Sequence, residues 1–104
     1  MSIEPWDPRR DGALCETGMR RKLESRGYRC ATYVYPPGTT FPDHAHDKDK
    51  IDAVLSGQFR ITLDGVAHHL QPGDCLHVPR GKIHNAVVVG PSPVVSIDAI
   101  EAST

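Results

Sequence analysis

Residues 38–57 read GTTFPDHAHDKDKIDAVLSG, and the fold turns on how this stretch is read. It opens on Gly38 after Pro36-Pro37, passes through His44-Ala45-His46, and closes on Ser56-Gly57. In an extended strand, side chains at i and i+2 share a face, so His44 and His46 present two imidazoles side by side. His84 lies far along the chain, beyond several predicted strands and turns. If the chain folds back on itself, three neutral ring nitrogens converge on one point. The bland alternative is three unrelated polar histidines, two at a strand start and one in a loop.

Outward from this stretch the sequence reads as short strands with turn punctuation. Strands are expected at Tyr28–Tyr35, Phe41–His46, Ile51–Leu55, Gln58–Leu63, Val66–Leu70, Cys75–Val78, Ile83–Val89 and Val94–Ile100. Pro-Gly and Gly-Pro pairs separate several of them, and Asp64-Gly65 is a hairpin-turn signal. Short strands at such regular spacing mean an all-β sandwich or barrel. Before them, Thr17 to Arg26 reads as one short helix, with Thr17 as N-cap and Gly27 as the stop. Met19 and Leu23 give that helix a narrow apolar stripe at i and i+4. Residues 1–14 look like an N-terminal arm without periodicity. Trp6 stands out there as a large aromatic that must pack on something, a partner subunit being one choice.

The chain has 104 residues and a net charge of −1, from 12 basic and 13 acidic side chains. That size suits a single domain over 1–104, with the β-barrel at 28–100. The charge balance gives no nucleic-acid footprint and no basic membrane patch. No apolar run approaches a membrane span, and the N-terminus shows no apolar signal-peptide core. Cys15, Cys30 and Cys75 are odd in number and lack CxxC spacing, so they are expected as reduced thiols in a cytoplasmic protein. Cys75 reads as a small core residue.

Two spaced motifs carry a family resemblance. In the first, Gly38, five residues, His44-x-His46, three residues, Lys50, six residues and Gly57 follow one another. In the second, Gly73, Pro79, Gly81 and His84 fall in register. The chain thereby resembles the cupin superfamily, whose first motif is G-x5-H-x-H-x3-E-x6-G and whose second is G-x5-P-x-G-x2-H-x3-N. Lys50 stands at the glutamate of the first motif. Val88 stands at the asparagine of the second, with Asn85 next to the histidine. The resemblance implies a double-stranded β-helix, a jelly roll with a pocket inside. It also implies a divalent metal on the motif histidines His44, His46 and His84, and commonly a homodimer. Imidazole suits Fe(II), Ni, Cu and Zn and discriminates poorly among first-row ions; the expected ion is Fe, Ni, Mn or Zn.

Lys50 complicates that site. An ammonium has no lone pair, and at ~4 Å from a divalent ion with an effective dielectric of ~20 it is repelled by about 8 kcal/mol. It can lose its proton, swing away, or pair with Asp52, which shares its strand face at i+2. Pairing is expected, with the pair turned into the pocket. Lys50 and Asp52 are thus the candidate catalytic residues. Asp47, Lys48 and Asp49 read as a charged turn. His68 and His69 are adjacent and point to opposite faces, and His77 precedes Pro79; none is expected as a ligand.

Two function classes remain open. One is a metal-dependent oxygenase- or isomerase-type enzyme acting on a small anionic metabolite. The other is a non-catalytic small-molecule-binding or sensor domain that needs no metal. A purely structural role for the barrel is a third, blander class.

Overall fold

The strand Lys50–Ser56 is buried on both faces, and the rest of the fold is built around it. The computed structural model describes residues 3–102. Its elements are β1 (Ile3–Glu4), α1 (Pro8–Asp11), α2 (Glu16–Glu24), β2 (Tyr28–Tyr35), β3 (Thr40–His44), β4 (Lys50–Ser56), β5 (Gln58–Leu63), β6 (Val66–Leu70), β7 (Cys75–Val78), β8 (His84–Val89) and β9 (Val94–Glu101). Five strands form one sheet in the order β1-β7-β4-β9-β2, and four form the other in the order β3-β8-β5-β6. Every pairing is antiparallel. This is the expected all-β jelly roll.

Two apolar clusters hold it together. The larger lies between the sheets, where Val54, Phe59, Ile61, Leu63, Leu70, Leu76, Val78, Val88 and Val94 meet. The smaller lies between the five-stranded sheet and α2, where Met19 and Leu23 cover Ile51, Ala53, Ile97 and Ala99. The period-2 alternation of β4 serves both, with Val54 facing in and Ile51 and Ala53 facing the helix. Lys50 and Asp52 share the inward face with Val54, so the strand carries a charged pair into the barrel.

The helix runs Glu16–Glu24 and is capped by Cys15, whose sulfur accepts from the Gly18 N–H. The expected cap, Thr17, is already inside the first turn. The expected arm carries two elements. β1 extends the sheet, with Ile3 opposite Leu76 and Glu4 opposite Cys75. Arg26 then clamps Glu4 with two bonds of 2.8 and 2.7 Å, and Lys22 reaches Asp11 at 2.9 Å. Trp6 packs within its own chain. Its ring lies against Gly18, and a Cβ on Gly73 would stand 2.8 Å from the Trp6 Cβ. Gly73, at φ +94, leaves the space that Trp6 fills. The β5–β6 hairpin closes through Asp64 and Gly65, both at positive φ, as the two-residue turn requires.

Candidate metal centre

A bulge sets the first histidine. Phe41 lies opposite Ala86 and His44 opposite His84, so β3 spends three residues where β8 spends two. The extra residue reverses the alternation, which turns His44 to the same inward face as Phe41. β3 ends at His44, two residues short of the expected strand. His46 therefore sits in the following loop, held there by the Gly81 N–H donating to its carbonyl at 2.9 Å. The Pro79-Arg80-Gly81 turn thus positions one histidine and starts the strand that carries the other.

The three rings cluster, with centroids 4.8 Å apart for His44 and His46, 4.2 Å for His44 and His84, and 5.2 Å for His46 and His84. One nitrogen from each falls within 4.8 Å of the others. His44 Nδ1 lies 2.6 Å from the Pro42 carbonyl and His84 Nδ1 lies 3.0 Å from the Lys82 carbonyl. A carbonyl only accepts, so each Nδ1 carries the hydrogen and each Nε2 keeps its lone pair. Such backbone contacts are what orient metal-ligating imidazoles. His46 Nε2 is buried and has no hydrogen-bond partner. Burial, then the Lys50 charge, lowers the His46 pKa; burial also lowers that of His84. Both effects favour the neutral, ligating form. These residues fit a divalent transition metal. A tetrahedral site with bonds of about 2.1 Å needs nitrogens about 3.4 Å apart, so a pair at the 4.8 Å limit would have to close by roughly 1.4 Å to share one ion.

The opposite wall comes from the other sheet. Lys50, Asp52 and Asp98 line the same cavity of about 220 Å³. Asp52 on β4 is directly opposite Asp98 on β9. Lys50 Nζ is 3.9 Å from Asp52 Oδ1, in line with the expected pairing, but only 2.6 Å from Asp98 Oδ1. Asp98 is therefore the nearer partner of the ammonium. Burial works against the Lys50 charge; the two carboxyls outweigh it and raise the Lys50 pKa. The loss-of-proton route for Lys50 is therefore not the one the fold takes. Burial pushes the Asp52 carboxyl up, against the pull of Lys50, and the neighbouring Asp98 adds to the rise. Asp98 escaped the sequence reading. Its signal was an acid amid the apolar run Val94–Ile100.

Aromatic rings form the remaining wall. Tyr35 meets Phe41 edge-on at 4.9 Å and Phe59 at 5.8 Å. Burial pushes the Tyr35 phenol up to about 12, so it stays protonated. His68, His69 and His77 line no part of this cavity. His69 bonds Gln58 on the surface, and His77 lies 3.6 Å from Asp49. Asn85 binds Asp43 on the outer face.

A jelly roll with imidazoles gathered inside its mouth defines a class of small β-barrel protein. The chain belongs to the cupin superfamily, and the cupin-domain profile matches residues 31–100. A comparison with curated proteins found no match. Solved structures are similar. KdgF from Halomonas sp. superposes with a TM-score of 0.64 at 26% identity, covering 74% of this chain and 71% of that one. An RmlC-like cupin from Shewanella frigidimarina gives 0.66 at 27%, covering 74% and 68%. Oxalate decarboxylase gives 0.64 at 25%, covering 75% of this chain but 22% of that longer one. Among the described residues no helix is long and apolar enough to cross a membrane.

Proposed function

We propose that this chain holds a divalent transition metal (Fe, Ni, Mn or Zn) on His44, His46 and His84 and binds a small anionic metabolite beside it. Its chemistry is of the oxygenase or isomerase type. One observation carries this reading. His46 Nε2 is buried without a partner, beside two imidazoles whose other nitrogens are taken by carbonyls. Leaving such a nitrogen unpaired costs about 1–3 kcal/mol, which a ligand bond removes.

A cation bound there supplies Lewis acidity and open positions for an oxygen of the metabolite. The chain supplies the rest. Carbonyls of Pro42 and Lys82 hold two rings in their ligating tautomer. Tyr35, Phe41 and Phe59 exclude water from one side and set the size of what enters. Asp52, with its carboxyl raised, is the group that holds or takes a proton on the far wall, and Lys50 keeps it company there. The cavity, at about 220 Å³, admits only a small molecule.

A second reading draws on Lys50, which is cationic inside the pocket. The protein would then bind its anion without metal and without catalysis. Elemental analysis of the purified protein separates the two. The metal reading expects near-stoichiometric metal after reconstitution, and less than about a tenth of an equivalent would sink it. The second expects ligand-induced thermal stabilisation that survives a chelator.

We further read the chain as a single cytoplasmic domain acting as a homodimer. Three free thiols suit a reducing compartment. β2 is an edge strand with Val34 exposed on its outer face, which suits pairing with a second copy.

A further inference from the structure

We propose that Asp98 is a positioning residue for the histidine cluster: it draws the Lys50 ammonium onto the β4–β9 wall and so allows a divalent cation to bind across the cavity. This inference rests on the metal reading above. Lys50 and the three imidazoles line one cavity, so an unrestrained ammonium there competes with any cation for the same space. Nothing on β4 alone restrains it well, since Asp52 Oδ1 stands 3.9 Å away. Asp98 Oδ1, contributed by the neighbouring strand, stands at 2.6 Å.

Register explains why Asp98 is suited to this. Asp52 faces Asp98 across the β4–β9 ladder, and Lys50 faces Ile100. Lys50 is thus diagonal to Asp98 on one face of one sheet, within reach of a long side chain. β9 is paired on both sides, by β4 and β2, so Asp98 sits on rigid backbone. The Lys50 side chain is 10% exposed, so water screens this pair poorly. The arrangement places one cation between two carboxyl groups. The wall facing the imidazoles is then neutral or acidic, depending on the Asp52 proton. With asparagine in place of Asp98, a positive lysine would face the imidazoles with only the more distant Asp52 to hold it.

The test is Ni²⁺ affinity by titration calorimetry at pH 7.5 with a non-thiol reductant, on the full chain. Four proteins are compared: wild type, Asp98→Asn, Lys50→Met and the double variant that carries both changes. Asp98→Asn is expected to weaken Ni²⁺ binding at least about 10-fold, equivalent to about 1.4 kcal/mol. In the Lys50→Met background the same change is expected to cost no more than about a third of that factor, because there is no lysine left to restrain. Lys50→Met alone is expected to bind at least as tightly as wild type. Equal losses from Asp98→Asn in both backgrounds would overturn the proposal, as would unchanged binding in the single variant. Should Asp98→Asn not fold, judged by its melt in chelator, weaker binding by Lys50→Met overturns it instead. Absence of Ni²⁺ binding by wild type refutes the metal reading itself and is a separate outcome.

Discussion

Replacing Asp52 with asparagine gives a pH signature that reports directly on the buried charge cluster. The carboxyl is buried, and its pKa is pushed up from 3.8 to about 7, by burial first, with Asp98 adding and Lys50 opposing. In the unfolded chain it ionises near its ordinary value. Below that value both states are protonated and the group costs nothing. As pH rises from about 4 to about 7, the unfolded state gives up its proton first, and folding stability falls. At 1.36 kcal/mol per unit, the full loss is on the order of 4 kcal/mol. His46 and His84 act the other way. Their pKa values are lowered in the fold, so stability falls as pH drops below about 6.5. The two trends overlap in a single pH profile, and subtraction separates them. The asparagine side chain cannot titrate, so wild type minus Asp52→Asn contains the Asp52 contribution together with what its charge does to Lys50, Asp98 and His44 beside it. Urea melts in chelator between pH 4 and 8 measure it. The variant should gain on wild type by several kcal/mol across that range, with most of the change between pH 4 and 7. A difference that stays flat would show that Asp52 ionises in the fold as freely as in water, and the reasoning about the far wall would fail.

Further outcomes follow from the same geometry. His46→Ala should abolish the Ni²⁺-induced rise in melting temperature, yet leave stability in chelator unchanged or raised by up to about 2 kcal/mol, because it removes a buried nitrogen that has no partner; a rise that persists would remove His46 from the site. Because burial lowers the His46 and His84 pKa values, Ni²⁺ affinity should hold down to about pH 6.5 and fall only on further acidification, as calorimetry across pH would record. Gly57→Ala should cost more than about 3 kcal/mol or prevent folding, since its φ is +84 and the added Cβ would strike the Pro93 carbonyl oxygen; a soluble variant with an unaltered melt would show that the β4–β5 turn yields.

The strands were legible because their signals are local. Turn residues at Asp64-Gly65, Pro72-Gly73 and Gly90-Pro91 interrupt runs of β-formers, and each break falls between observed strands. The apolar stripe of Met19 and Leu23 announced α2, and both are fully buried. The N-terminal elements were not legible. β1 is two residues long and exists because β7 offers it a ladder and Arg26 grips Glu4, neither of which is near in sequence. Trp6, a large aromatic in a polar stretch, needs a surface, and that surface is Gly18 and Gly73 of its own chain.

For the site, residue identity and spacing were sufficient to nominate His44, His46 and His84, since chemistry that depends on imidazole can be read from where imidazoles occur. Spacing also put Lys50 and Asp52 on one face of one strand, because alternation is a property of the chain itself. What lay beyond the sequence was every relation between strands. The bulge that turns His44 inward is a mismatch between β3 and β8. The hold on His46 comes from Gly81. The partner that Lys50 prefers is Asp98, remote along the chain but on the adjacent strand of the sheet. Register between strands is set by how the whole barrel closes over its core, and no single segment carries that information.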